Sequence, residues 1–177
     1  MPVLQLFLLR HAKSDWRNPE LKDFDRPLNS RGRTAARTMG AYLEKNQLQP
    51  NLILCSSSQR TRETLAKLLP HLRRQTEIRL LNSLYDECED SYLPIIRARG
   101  GNAGSLMVIG HNPATEQTAH ALFAEGDRVL KADMELKYPS GALAIYSCPI
   151  TDWSSLEAGT AQLEQFIKPR SLQAETS

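Results

Sequence analysis

Two arginines and two histidines stand out, because each follows a short apolar run. Leu6–Leu9 runs into Arg10-His11, Leu52–Cys55 runs into Ser56-Ser57-Ser58-Gln59-Arg60, and Leu106–Ile109 runs into Gly110-His111. Any one of them alone reads as a hydrogen-bonded surface residue. Together they describe an anion site. Arginine forks recognise phosphate through paired hydrogen bonds. Helix N-termini after Ser56–Ser58 and at Asn112 add backbone N–H donors and a positive dipole end. A histidine among these cations is held neutral, which leaves a lone pair free to attack phosphorus. The surrounding cations then stabilise charge on the equatorial oxygens. A metal centre fits poorly, since guanidinium groups repel a cation and no carboxylate is built into these segments.

The elements that position these residues can be read from apolar patterning. Val3–Leu9, Leu52–Cys55 and Leu106–Ile109 are nearly unbroken apolar runs, as in parallel strands covered on both faces. Asn29 or Ser30 caps a helix to about Asn46, with Ala35, Ala36, Met39 and Leu43 inward. A second helix follows Ser58, with Leu65, Leu68, Leu69 and Leu72 on one face. Glu77–Leu81 reads as a short strand, 82–90 as an acidic loop and Ser91–Arg99 as a helix. Asn112 caps a further helix with Pro113 at its first position and Ala119, Leu122 and Phe123 inward. Ala142–Tyr146 is a strand and Leu163–Ile167 an edge strand. Residues 12–28 have no period and form a long loop, of the kind that carries function.

Alternating strands and helices predict an α/β fold with a mostly parallel central sheet and helices on both faces. In such sheets ligands bind beyond the carboxyl ends of the strands, the rim where these residues emerge. The chain of 177 residues fits one domain, over 1–169, with 170–177 as a flexible tail.

Composition narrows the function classes. With 41% hydrophobic and 24% charged residues the chain is a globular protein. It has no apolar stretch of membrane-spanning length and no signal-peptide pattern, so it reads as cytoplasmic with no membrane partner. Cys55, Cys88 and Cys148 are widely spaced and read as idle thiols. Residues 10–37 hold eight Lys and Arg against four Asp and Glu, a local field that favours anionic ligands. Nucleic-acid signatures are absent, as are dinucleotide, P-loop and serine-hydrolase motifs.

At the motif level the chain resembles the histidine phosphatase, or phosphoglycerate mutase-like, superfamily. "LLRHAKSDW" is similar to its R-H-G-x-S-x-W signature, and "CSSSQRTRETL" to its S-P-x-x-R-A-x-Q-T segment. "FDRPLNSRG" and "MVIGHNP" are similar to its R-P-L-T-x-x-G and second-histidine segments. The R-H-A-K-S, D-F-D-R-P-L and G-H-N-P spellings, with "YPSGALAIY" and "FIKPR", resemble the SixA-type phosphohistidine phosphatases. The resemblance implies a three-layer sandwich without a large lid. It also implies a hydrolase working through a transient phospho-His11, with Arg10, Arg60 and His111 clamping the phosphoryl oxygens. Ser14 and the backbone beside Asn112 would add hydrogen bonds. Arg26 would organise the loop or touch phosphate. No metal or organic cofactor is implied.

Three departures matter. Ala12 stands where the family has glycine, Ser57 where it has proline, and Asp86 where it has the glutamate general acid, with Glu87 beside it. A solvated acidic loop is the other reading of Asp86. Imidazole leaves readily, so a phosphohistidine phosphatase tolerates a weakly placed acid. The expected substrate is therefore a phosphorylated protein, such as a histidine-containing phosphotransfer domain, acted on by a monomer. The alternatives are a small phosphorylated metabolite, hydrolysed or transferred by the same chemistry, and a phosphate-binding module without catalysis.

Overall fold

In the computed structural model, which describes residues 2–87 and 90–176, seven strands form one sheet in the order β3-β2-β4-β1-β6-β7-β5. Strand β1 (Leu4–Arg10) lies near its middle, parallel to β4 (Ser105–Gly110) and antiparallel to β6 (Leu143–Cys148). β2 (Leu52–Ser56) pairs in parallel with both β4 and β3 (Glu77–Leu81). β7 (Ala161–Ile167) is antiparallel to β6 and parallel to β5 (Phe123–Gly126). The sheet is thus mostly parallel, with β6 as the strand that runs against both its neighbours.

The unbroken apolar run of β1 has a direct explanation. Successive side chains alternate between faces, and both faces are covered. Leu6 and Leu8 enter one core with Leu54, Leu106, Val108 and Tyr146. Phe7 and Leu9 enter the other with Ile53, Met107, Ile109 and Ile145. The second core is closed by α1 (Ser30–Lys45) through Met39 and Leu43, and by α2 (Gln59–Leu68) through Leu65 and Leu68. The first is closed by α4 (Leu93–Arg99), α5 (Ala114–Leu122) and α6 (Arg128–Leu136), through Ile96, Leu122 and Met134. A single turn, α3 (Ser83–Asp86), follows β3 and buries Leu84.

Several expectations need correction. Residues 170–176 of the expected tail are helical: Pro169–Thr176 form α7, which packs on α1 and buries Leu172 in the second core, and Ser177 lies outside the described residues. β7 is interior, because Phe123–Gly126 leaves the helical path and pairs along its outer side as the true edge. The helix after Pro113 begins at Ala114, and the Asn112–Pro113 bond is cis. Leu69 is exposed, because α2 gives way to a 3-10 turn at Leu69–His71. Helix α6 escaped sequence reading although Asp127 caps it, accepting from the N–H groups of Val129 (2.7 Å) and Leu130 (3.3 Å). Among the described residues no helix is long and apolar enough to cross a membrane. Cys55 and Cys148 are buried and free, their thiols pushed up to about 12 by burial. Cys88 lies outside the described residues.

Because α7 contributes a buried leucine, Leu172→Ala is expected to lower unfolding free energy by about 2 kcal/mol. Urea denaturation of the two proteins measures this, and an unchanged midpoint would mean that α7 is not docked.

Candidate active site

Sheet register brings the key residues together before any side chain is considered. Arg10 pairs with Gly110, and Cys55 with Ile109, so His11, His111 and Ser56 leave three adjacent strands side by side. The chain beyond β1 is pinned by its backbone. His11 N–H donates to Gly110 O (2.9 Å), and Ala12 N–H donates to Thr64 Oγ1 (3.0 Å). Gly141 N–H reaches both Arg10 O (3.0 Å) and His11 O (2.9 Å). Ala12 needs no positive φ. The positive-φ glycine sits opposite, at Gly141 (φ 78°). Gly110 has a packing reason, since a Cβ there would collide with the Tyr92 ring, whose hydroxyl accepts from His111 N–H (2.8 Å).

His11 is 7% exposed, with its Nδ1 2.7 Å from the carbonyl oxygen of Ala12. A carbonyl can only accept, so Nδ1 carries the hydrogen and Nε2 keeps its lone pair. Burial lowers its pKa to about 4, with Arg60 and Arg10 adding to that and the Ala12 bond opposing it. The His111 ring lies 5.3 Å away, centroid to centroid. Its pKa falls to about 3, through burial first and then through His11 and Arg60. His111 Nε2 is 2.8 Å from Ser56 Oγ. The other recorded partner of that oxygen is a donor, Ser58 N–H at 3.4 Å. No other acceptor for the hydroxyl hydrogen is found among the described residues, so it is assigned to Nε2, which puts the His111 ring hydrogen on Nδ1.

Arg10 donates to Tyr138 O (2.9 Å), and burial lowers its pKa. Its Nε and the Nδ1 of His111 are buried without a partner. Leaving a buried donor unsatisfied costs about 1–3 kcal/mol, so two in one place mark a site shaped for acceptor oxygens. Arg60 is buried and donates to Asp23 twice, to its carbonyl (2.6 Å) and to Oδ2 (3.0 Å). Tyr85 also donates to Asp23 Oδ2 (2.8 Å), and its ring meets His111 edge-on at 5.6 Å. Among the described residues no group of three or more His, Cys, Asp or Glu is placed to hold a metal ion.

The remaining expected residues fall into two groups. Asn112 tethers Tyr138 O (3.1 Å) and accepts from Glu116 N–H (3.3 Å), so its side chain braces the wall behind Arg10. Arg26 donates to Asn18 O (3.2 Å) and stacks at 4.1 Å on Trp16, whereas its Nε is buried without a partner. Ser14 is buried in that loop, bridged to Leu28. Asp86 is exposed and has no side-chain hydrogen bond or ion pair with the Arg10–His11–Arg60–His111 group. One helical turn explains this: Leu84 points into the core and Tyr85 toward His111, which leaves the next residue facing solvent. Sequence reading missed Asp23, Tyr85, Ser56 and Tyr138. Asp23 lies in the D-F-D-R-P-L segment, Tyr85 beside Asp86, and Tyr138 at the head of YPSGALAIY, but none of the three is marked by spacing as a site residue.

Comparison with known proteins places this geometry. The family model described as histidine phosphatase superfamily (branch 1) matches residues 6–91. An uncharacterised protein of Mycobacterium tuberculosis is 31% identical over 164 residues, covering 92% of this chain and all of that one. This chain belongs to the histidine phosphatase superfamily. A solved structure from Agrobacterium tumefaciens, named as a candidate phosphohistidine phosphatase SixA, matches with TM-score 0.78 and 28% identity, over 96% of this chain and 99% of that one. A second, from Nakamurella multipartitia and named likewise, matches with TM-score 0.78 and 26% identity, over 96% and 98%. Superfamily membership and these neighbours support phosphatase activity.

The His11 environment sets a pH dependence. Between 6.5 and about 4 the unfolded chain binds a proton at this residue that the folded chain does not. Stability from this group is therefore complete above pH 6.5 and is lost as pH falls toward 4. An NMR titration of His11 is expected to show a neutral ring at pH 6, and an ordinary value near 6.5 would contradict the burial argument.

Proposed function

We propose that this protein is a phosphohistidine phosphatase that hydrolyses its substrate through a phospho-His11 intermediate. The observation that carries the reading is the His11 imidazole, fixed with Nδ1–H on Ala12 O, its Nε2 bare and the Arg60 and Arg10 charges acting on the ring. Nε2 attacks phosphorus in line with the leaving group. The ring, now cationic, is steadied by the hydrogen bond to Ala12 O. Arg10, Arg60 and His111 Nδ1–H neutralise the equatorial oxygens. Water then attacks the phosphorus from the mouth of the site and regenerates neutral His11.

Two features favour a phosphorylated side chain on a protein. The connection from β3 to β4 contains α3 and α4, of four and seven residues, which are too short to form a deep lid. At the mouth, the Asp23 side chain is 48% exposed. The Agrobacterium relative, named as a candidate phosphohistidine phosphatase, supports the same substrate class.

The test is turnover of a purified phosphohistidine carrier protein, compared with sugar phosphates and p-nitrophenyl phosphate. The carrier is expected to give the highest kcat/KM. His11→Ala is expected to lose on the order of 10³-fold or more, and the wild-type protein to trap an acid-labile, alkali-stable phosphoryl group. A small metabolite with much higher kcat/KM would overturn the substrate assignment, and full activity in His11→Ala would overturn the mechanism.

A further inference from the structure

Among the described residues Asp23 is the carboxylate ion-paired to Arg60, and its position is unusual for an anion site. Its backbone carbonyl and Oδ2 hold Arg60, and Oδ2 also receives Tyr85 O–H. Oδ1 has no partner among the described residues. The carboxylate also faces both histidines electrostatically, opposing the lowering of each. Burial works to raise its pKa, and the bonds from Tyr85 and Arg60 outweigh that, so it stays ionised. An ionised carboxylate cannot donate a proton to a leaving alkoxide, and it repels the negative charge that develops there. It can accept from a leaving group that brings its own N–H.

Position fits that role. His11 is at the floor, 7% exposed, whereas the Asp23 side chain is 48% exposed at the mouth. In-line displacement puts the leaving group opposite the nucleophile, on the Asp23 side. We propose that Asp23 is a catalytic residue that reads the leaving group: Oδ1 accepts a hydrogen bond from the distal ring N–H of a phosphorylated imidazole. This inference rests on the phosphohistidine reading of the substrate and gives it a specificity device.

Protons and electrons balance without a general acid. The substrate ring carries the phosphoryl group on one nitrogen and a proton on the other, and is cationic. The His11 Nε2 lone pair forms the new N–P bond. The old N–P bond breaks with its pair on the substrate nitrogen, so that ring leaves neutral, its distal N–H intact and still hydrogen-bonded to the Asp23 carboxylate. The positive charge passes to His11, whose Nδ1–H is already on Ala12 O. Water then forms the P–O bond, its hydrogens remain on inorganic phosphate, and the pair returns to Nε2.

Full-length protein assayed with phosphoimidazole and with p-nitrophenyl phosphate tests this, because only the first has a leaving group with an N–H. Asp23→Asn is expected to lower the ratio of the two kcat/KM values by about tenfold or more, and Asp23→Glu to recover part of that ratio. A ratio taken within one protein is unaffected by partial unfolding. Equal losses on both substrates would mean that Asp23 only positions Arg60, and an unchanged or higher ratio would equally overturn its role. Wild-type turnover of both substrates with an unmoved ratio defeats this inference alone. Wild-type turnover of the phosphomonoester but not of phosphoimidazole, or of neither, defeats the substrate reading and the inference together.

Discussion

Burial of the His11 imidazole, reinforced by the two guanidinium groups beside it, leaves the ring one workable charge state. A third buried cation beside Arg10 and Arg60 would meet both repulsion and desolvation. Neutrality alone is not enough, because a neutral ring has two tautomers. The Ala12 carbonyl selects one of them, and Ser56 does the same for His111 through its hydroxyl hydrogen. The site thus holds one bare nitrogen and one N–H donor, each assigned by a backbone or side-chain oxygen that belongs to the fold.

That assignment depends on the sheet. Ala12 O faces His11 Nδ1 because the chain leaving β1 is tied to Gly110 O, Thr64 Oγ1 and Gly141 N–H. Gly110 must be glycine to admit the Tyr92 ring, and the Tyr92 hydroxyl in turn holds the His111 backbone. Tyr138 links the same wall to the core: its hydroxyl donates to Leu8 O and accepts from Ala144 N–H, and its carbonyl accepts from Arg10 and Asn112. A buried polar network of this kind fixes geometry only when its members are satisfied. Arg10 Nε and His111 Nδ1 are left over as donors that a phosphoryl group would fill.

Residues that sit at the ends of apolar runs were legible in the sequence, because strand order converts them directly into neighbours. Arg10, His11, Arg60 and His111 are of this kind, as was the parallel core of β1, β2 and β4. The C-terminal third was less legible. Phe123 continues the apolar face of α5 by spacing, yet it pairs with Ala161 as an edge strand, a tertiary choice that local pattern does not encode. Leu172 is one apolar residue in a polar stretch, too little periodicity to announce α7. Asp86 shows the opposite problem. Motif alignment locates a segment, but the phase of a single helical turn decides which of Leu84, Tyr85 and Asp86 faces the site.

The same phase has a chemical consequence. With Tyr85 rather than Asp86 turned inward, the carboxylate beside Arg60 comes from the loop after β1, and it comes already bound to that arginine. A carboxyl tied to a guanidinium and a phenol is kept ionised, whereas a general acid needs a raised pKa and so a less polar setting. An enzyme built this way has little to offer a poor leaving group such as an alkoxide. It suits a phosphoryl group on nitrogen, where the leaving ring supplies its own proton and the remaining task is to hold the two rings in line. The sparse cover over the site fits that chemistry too, since no proton donor has to be shielded from water for the first transfer to occur.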